Sequence, residues 1–260
     1  MVHLTIDGTR VQAKEGEMLL KVIKQLGIDV PSLCDHDAVE PFGACRLCLV
    51  EITKQSWDGW KKYVTSCLYP VEDGLIVNTQ AEKVVEARKT LIDLQLARCP
   101  GSPEIQQLAA DYGITQTSYE PKIDSDNCIL CGLCTRICEH MGFAAISTVD
   151  RGPDRRIASP LDEPPPDCIG CLACAINCPT NVIPYTEKGN KRTIWDKEFE
   201  LITCSKCGRK TITRDFARAL SKMRDIPEAY FEVCDACHRA ETATNMGRIA
   251  GWSRREEAAS

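Results

Sequence analysis

The chain carries 17 cysteines in 260 residues, and all but Cys99 fall into four sets of four. Thiolates brought together in fours bind zinc or iron–sulfur clusters, so the first expectation is metal chemistry. The opening stretch, MVHLTIDGTR, has no basic run leading into an apolar one, so no signal peptide is expected. No run of 18 apolar residues suggests a membrane span. A chain without an export signal is expected in the reducing cytoplasm, where paired cysteines read as metal ligands rather than disulfides. The odd total argues the same way. A formal net charge of -5 gives no electrostatic reason to expect nucleic acid as a partner.

Near the carboxyl end Cys204, Cys207, Cys234 and Cys237 spell C-x2-C-x26-C-x2-C. Two such knuckles clamp one tetrahedral ion in a zinc ribbon, and Gly208 stands where a knuckle prefers glycine. A fourth iron–sulfur cluster is the competing reading. Cubanes favour three close cysteines and one remote, so equal pairs favour Zn2+. His238 beside Cys237 is a further candidate ligand.

The most specific signal is a repeat, CILCGLCTRIC at 128–138 and CIGCLACAINC at 168–178. Each copy is C-x2-C-x2-C-x3-C, the run that binds clusters in two-cluster bacterial ferredoxins, where the fourth cysteine serves the other cluster. That assigns Cys128, Cys131, Cys134 and Cys178 to one [4Fe–4S] cluster. Cys168, Cys171, Cys174 and Cys138 go to the other. Small neighbours (Gly132, Gly170, Ala173) let backbone N–H groups approach sulfur. Pro179 follows the second copy but Glu139 follows the first. That carboxylate either lowers a cluster potential or faces solvent.

Cys34, Cys45, Cys48 and Cys67 form the remaining quartet. A ten-residue gap, DHDAVEPFGA, replaces the four-residue gap of plant-type ferredoxins, yet a loop, a close pair and a remote fourth cysteine suit a [2Fe–2S] rhomb. Gly43 supplies backbone freedom there, and His36 reads as a surface residue rather than a ligand.

The spans CDHDAVEPFGACRLCLVEI and DSDNCILCGLCTRICEHMGFAAISTVDRG carry a resemblance. Together they resemble the N-terminal part of the iron–sulfur subunit of respiratory complex I and the diaphorase subunits of NAD-linked hydrogenases and formate dehydrogenases. The resemblance covers roughly residues 1–190. It implies a flavin- and NAD(H)-binding partner and a separate catalytic oxidoreductase subunit. One departure is clear. The family's linker holds a further cluster on one histidine and three cysteines, whereas here LARCPGSPEIQQLA offers only Cys99. A cubane cannot be held by one ligand, so the wire is expected to have one [2Fe–2S] and two [4Fe–4S] clusters, with Cys99 a buried thiol.

The elements that must position these cysteines are also readable, and the fold class expected is α+β. Residues 1–79 alternate (Val2, Leu4, Ile6), turn at Asp7-Gly8, then show helical spacing from Leu19 to Leu26 capped by Gly27. With strands at CLVEI and GLIVNT this predicts a β-grasp [2Fe–2S] ferredoxin domain. SWDGWKKY predicts a hairpin with Trp57 facing Trp60 across its turn, or else a contact patch. Residues 80–118 predict a helical linker, with helices over 81–98 and from the Ser102-Pro103 start to Gly113. Residues 119–195 form the two-[4Fe–4S] bacterial ferredoxin-like domain, with strands at AAISTV and NVIPYT and the connector SPLDEPPPD. Residues 196–260 form the zinc-ribbon-like module and a polar tail, where Arg254, Arg255, Glu256 and Glu257 suggest a solvated or docking end.

Aromatics are only 6% and the cysteines are dispersed, so several small metal-stapled modules are expected rather than one large core. No G-x-G-x-x-G follows a strand and no substrate-site motif is present. The function expected is single-electron relay inside a larger complex. Catalytic use of a cubane needs an open iron, and all eight repeat cysteines have partners. A redox-sensing regulator fits the ribbon but not the acidic charge. An iron–sulfur subunit of the succinate dehydrogenase or fumarate reductase type would carry the short first gap that this chain lacks.

Overall fold

The computed structural model describes residues 1–122 and 125–257, with side chains to residue 248. The side chains of Arg254, Arg255, Glu256 and Glu257 lie outside the described residues. Two compact units result, Met1–Ala158 with Ala173–Ile183, and Ser159–Leu172 with Pro184–Ser260.

The first unit starts with β1 (Val2–Ile6) and β2 (Thr9–Ala13), joined by Asp7 and Gly8 in left-handed conformation at φ 47° and 83°. Both signs are what a tight two-residue hairpin demands. The Asp7 carboxylate then accepts from the backbone N–H and hydroxyl of Thr79, fastening the turn to the end of the domain. Helix α1 (Leu19–Gln25) ends at Gly27, whose φ of 72° closes it. Strands β3 (Leu49–Lys54), β4 (Lys62–Thr65) and β5 (Leu75–Asn78) complete a five-stranded sheet in the order β2-β1-β5-β3-β4, with only the β1–β5 pair parallel. Ile6, Leu19, Ile23, Ile52 and Leu75 fill its core. Trp57 and Trp60 meet edge to face at 5.2 Å, but at the tip of the β3–β4 connection around left-handed Asp58, not across paired strand positions.

Helices α2 (Glu82–Arg98) and α3 (Pro103–Asp111) follow, the latter N-capped by the Ser102 hydroxyl accepting from Ile105 N–H. Ile92, Leu96, Ile105 and Ala109 build a second core with Leu47, Cys34 and Cys45. Helix α4 (Leu133–His140), the hairpin of β6 (Ser147–Val149) and β7 (Arg156–Ala158), and the single turn α5 (Ala173–Ile176) complete this unit.

The second unit is a four-stranded antiparallel meander of β8 (Tyr185–Lys188), β9 (Lys191–Ile194), β10 (Lys197–Thr203) and β11 (Lys210–Thr213). The strand expected over NVIPYT begins only at Tyr185, because Pro184 has no N–H to give a ladder. Helix α6 (Arg214–Arg224) packs on β10, and α7 (Asp235–Glu257) begins at the second cysteine pair. The core here is thin: Ile194, Phe199, Leu201 and Ala217 are its main apolar members. No helix among the described residues is long and apolar enough to cross a membrane.

Candidate metal centres

No disulfide joins any cysteine. Cys34, Cys45, Cys48 and Cys67 are all buried. Cys34 lies in the loop that follows α1, and Cys45 and Cys48 flank left-handed Arg46 just before β3. Cys67 sits in a tight turn after β4. The loop needs glycine at 43, since φ is 69° and a Cβ would fall 2.4 Å from a Leu68 methyl. Around Cys48 three successive carbonyls are pinned. Ser66 donates from its N–H and hydroxyl to Cys48 O at 2.9 and 2.8 Å. Arg88, 1% exposed, donates to Leu47 O at 3.1 Å and Leu49 O at 2.5 Å.

The four thiols interact as two pairs. The neighbouring Cys34 thiol holds the Cys45 thiol down at about 6 against the opposing effect of burial. Cys67 likewise holds Cys48 at about 7. Cys34 and Cys67 are in turn pushed well above the ordinary thiol value by these neighbours, burial adding to the effect. Backbone N–H groups of Leu33 and Cys45 also point at sulfur, each at 3.4 Å, on Cys45 and Cys34. Four buried sulfurs that cannot all ionise alone suit a cationic iron core. His36 accepts from Ala38 N–H within its own loop, away from the thiols.

In the repeat, the two copies share an unusual backbone. Leu130 and Gly170, at matching positions, have φ of 53° and 66°, and Gly132 and Leu172 have 71° and 67°. Glycine and leucine thus exchange places while the left-handed turns persist. In the first unit, Leu130 N–H donates to Cys128 Sγ and Ala145 N–H to Cys138 Sγ, at 3.4 and 3.3 Å. Helix α4 carries Cys134 and Cys138. Cys178 lies near enough to act on both Cys128 and Cys131 electrostatically. Burial is the main reason Cys131 rises to about 11 and Cys134 to about 12, with neighbouring thiols adding to it. Glu139 is exposed.

The Cys168–Cys171 loop belongs to the second unit, where the sheet holds its carbonyls. Arg192 donates to Gly170 O (2.7 Å), Thr213 to Ile169 O (2.5 Å) and Lys197 to Cys168 O (2.8 Å). A Cβ at Gly170 would fall 2.7 Å from the Phe199 ring, so the glycine is required twice over.

Cys204, Cys207, Cys234 and Cys237 bring their sulfurs within 4.8 Å of one another. Cys207 and Cys234 stand 3.6 Å apart, Cys204 and Cys237 3.9 Å. Four thiolates about 2.3 Å from one tetrahedral zinc would lie about 3.8 Å apart. A cubane spreads its thiolates farther, because each binds a different iron corner. Gly208 (φ 72°) closes the knuckle with its N–H on Cys204 O at 2.9 Å. The Cys234 N–H, 3.3 Å from Cys204 Sγ, is the main reason that thiol falls to about 6. Hydrogen bonds from Cys237, chiefly to Cys234, push it up to about 12. His238 stacks on Tyr230 at 4.3 Å and is not one of the four.

Cys99 is fully buried beside Ile92 and Ile105, and desolvation lifts its thiol to about 12. Sequence reasoning missed Arg88 and Arg136. Arg88 had a signal: it sits at i+4 between Val84 and Ile92 on the apolar stripe of α2.

A mixed α+β chain with paired, buried thiols in its first domain and a cysteine knot near its carboxyl end defines an iron–sulfur protein. Residues 1–82 match the 2Fe–2S iron–sulfur cluster binding domain. The chain is 34% identical over 216 residues to the NADPH-Fe(3+) oxidoreductase subunit alpha of Geobacter sulfurreducens, covering 73% of this chain and 25% of that one. It is 31% identical over 183 residues to the NADH-ubiquinone oxidoreductase 75 kDa subunit of Reclinomonas americana, covering 61% of this chain and 26% of that one. Among solved structures, a chain of the NAD+-reducing [NiFe]-hydrogenase in its H2-reduced state matches with TM-score 0.52 and 28% identity, covering 61% of this chain and 74% of that chain. The resemblance to the iron–sulfur subunit of complex I and to NAD-linked hydrogenases is thus found in both sequence and structure. The chain spans about a quarter of the length of the two curated relatives.

Proposed function

We propose that this chain relays single electrons between a flavin- and NAD(H)-binding subunit and a catalytic oxidoreductase subunit of a multi-subunit complex in the cytoplasm. The observation that carries the reading is a quartet of buried cysteines within a 2Fe–2S domain, in which Cys34 and Cys45, and Cys48 and Cys67, act on each other most strongly. A rhomb has two irons with two thiolates each. Cys34 and Cys45 would hold one iron, Cys48 and Cys67 the other, on a β-grasp domain. The register of the repeat supports two [4Fe–4S] clusters, on Cys128, Cys131, Cys134 and Cys178 and on Cys168, Cys171, Cys174 and Cys138. Cys204, Cys207, Cys234 and Cys237 would hold one Zn2+ in a zinc-ribbon-like module.

When bound, the clusters supply one-electron transfer without atom transfer. The chain's own residues do the rest. N–H groups of Leu33, Cys45, Leu130 and Ala145 aim at sulfur and stabilise thiolate charge. Ser66 and Arg88 fix the Cys48 segment, and apolar neighbours such as Leu47 exclude water. The packing of Cys99 among Ile92 and Ile105 supports a wire without a linker cluster.

Metal analysis of the anaerobically purified chain tests this. The expected result is about ten irons and one zinc per chain. About fourteen irons without zinc would give the closing quartet an electron-carrying role. Six irons or fewer would remove a cubane from the relay.

A further inference from the structure

Arg136 lies midway between two proposed cubane ligands, Cys134 and Cys138, on α4. Its side chain does not stay with its own motif. One terminal nitrogen donates to Cys34 O at 2.7 Å and the other to Glu40 O at 2.8 Å. Its guanidinium carbon is 5.0 Å from the centre of the Phe42 ring. A single residue of the repeat therefore grips three points of the loop that carries the first quartet. Gly132, with φ of 71°, takes the left-handed turn that starts α4 beside Phe42. Cys34 and Cys131 share one apolar core, so the two ligand sets are neighbours in the same unit.

Two further facts concern charge. Arg136 Nε is buried and has no hydrogen-bond partner. Among the described residues no carboxylate pairs with this guanidinium; the ion pairs involve other cations. The guanidinium is half-buried, so a missing protein counter-charge costs less than in a closed core but is not fully offset by water. With clusters bound, the ligands at Cys134 and Cys138 on its own helix and at Cys34 on the gripped loop would bring negative charge to both sides of Arg136. Lysine could supply the charge, but not a planar fork that reaches two carbonyls while lying on a ring.

Resting on the relay reading above, we infer that Arg136 is a positioning residue that couples the [2Fe–2S] centre to the first cubane, fixing their spacing and lending both the same positive charge. A one-electron reduction adds one negative charge to a centre, with no bond made or broken. A nearby cation favours the reduced form of each.

The test uses the full chain, anaerobically purified with clusters in place, in a redox titration followed by electron paramagnetic resonance. In Arg136→Met at full iron content, the reduction equilibrium of the [2Fe–2S] centre and of one cubane should each fall about tenfold, or about 59 mV for a one-electron couple. The second cubane, which Arg136 approaches only through Cys138 on α4, should move less. Arg136→Lys should keep both potentials within about threefold while weakening the magnetic interaction between the two reduced centres. Unmoved potentials in Arg136→Met, or a shift in one centre only, would overturn the inference. If Arg136→Met loses iron, Arg136→Lys decides: kept potentials with weakened coupling support the role, unchanged coupling overturns it. If the unmodified chain lacks one of the two signals, the relay reading itself fails, which is a different result.

Discussion

Two quartets of cysteine in this chain solve different problems, and their sulfurs differ accordingly. Cys34, Cys45, Cys48 and Cys67 act on one another chiefly as two pairs inside well-filled cores, and the carbonyls of the Cys48 segment are tied down by Ser66 and Arg88. Cys204, Cys207, Cys234 and Cys237 converge as one knot, with Cys207 exposed, beside a thin sheet. Pairs suit a centre with two irons; a knot suits a single ion. The surroundings differ in the same sense. The first domain has apolar residues enough to fold around its centre, so its protein can be spent on positioning. The second unit has few, so there the metal itself supplies stability.

The largest expected effect breaks that contrast at its stronger end. Cys234→Ser should lose the single ion, and structural zinc contributes roughly 10–16 kcal/mol to such modules. Residues 184–248 should become protease-sensitive, at a cost of at most about four irons, those of the cubane whose Cys168–Cys171 loop that sheet holds, while the [2Fe–2S] absorbance remains. Cys48→Ser should do the reverse, losing about two irons while the β1–β5 sheet stays folded by circular dichroism. If Cys234→Ser kept its protease resistance, the knot would not be a staple.

Much of this was legible because cluster ligands lie in short runs. C-x2-C-x2-C-x3-C is read residue by residue, and Asp7-Gly8, Gly27 and Ser102-Pro103 are local signals that the backbone obeys. What was not legible depends on chain segments far apart. The pairing of Cys48 with Cys67 needs β3 and β4 in register. Arg88 reaches carbonyls some forty residues away, and Arg136 reaches a loop about a hundred residues earlier; the stripe of α2 marks Arg88 as inward-facing, but no local pattern names the partners of either. The Trp57–Trp60 contact was foreseen, but its place at the turn tip follows from the left-handed Asp58.

Arg88 tests whether the first quartet is positioned by protein alone. Arg88→Met keeps the length and apolar stem but strips Leu47 O and Leu49 O of their donors. Each orphaned buried carbonyl costs about 1–3 kcal/mol. The denaturant midpoint should fall, and iron should be lost faster to a chelator. An unchanged midpoint would mean that water or a shifted side chain replaces the guanidinium, and that the pairs need no such clamp.

The knot should also answer to pH. Cys204 is depressed from 9.0 to about 6, so its stabilising contribution to the metal-free module is full above 9 and disappears as pH falls through 6. Cys237 is raised to about 12, so its contribution is full below 9 and disappears as pH rises through 12. At neutral pH the ion displaces the Cys237 proton but finds Cys204 already charged. Below about 6 protons compete for Cys204 too, and apparent affinity should fall by about a further tenfold per pH unit. Competition with a chromophoric zinc chelator from pH 5 to 8 reads this slope. A slope that does not steepen near 6 would separate Cys204 from the ligand set.

The smallest effect concerns the cysteine that belongs to neither quartet. Cys99 shares a core with Cys34 and Cys45 yet keeps its proton, because desolvation opposes the thiolate. It packs as a small apolar group, so Cys99→Ala should cost about 1 kcal/mol in a denaturant titration and leave iron content unchanged. Cys99→Ser should cost more, since a hydroxyl there must find an acceptor among Ile92, Ile105 and their neighbours. Loss of about four irons from Cys99→Ala would make this thiol a cubane ligand. Burial without partners would then no longer distinguish a packing cysteine from a binding one, and the contrast between pair and knot would have a third member.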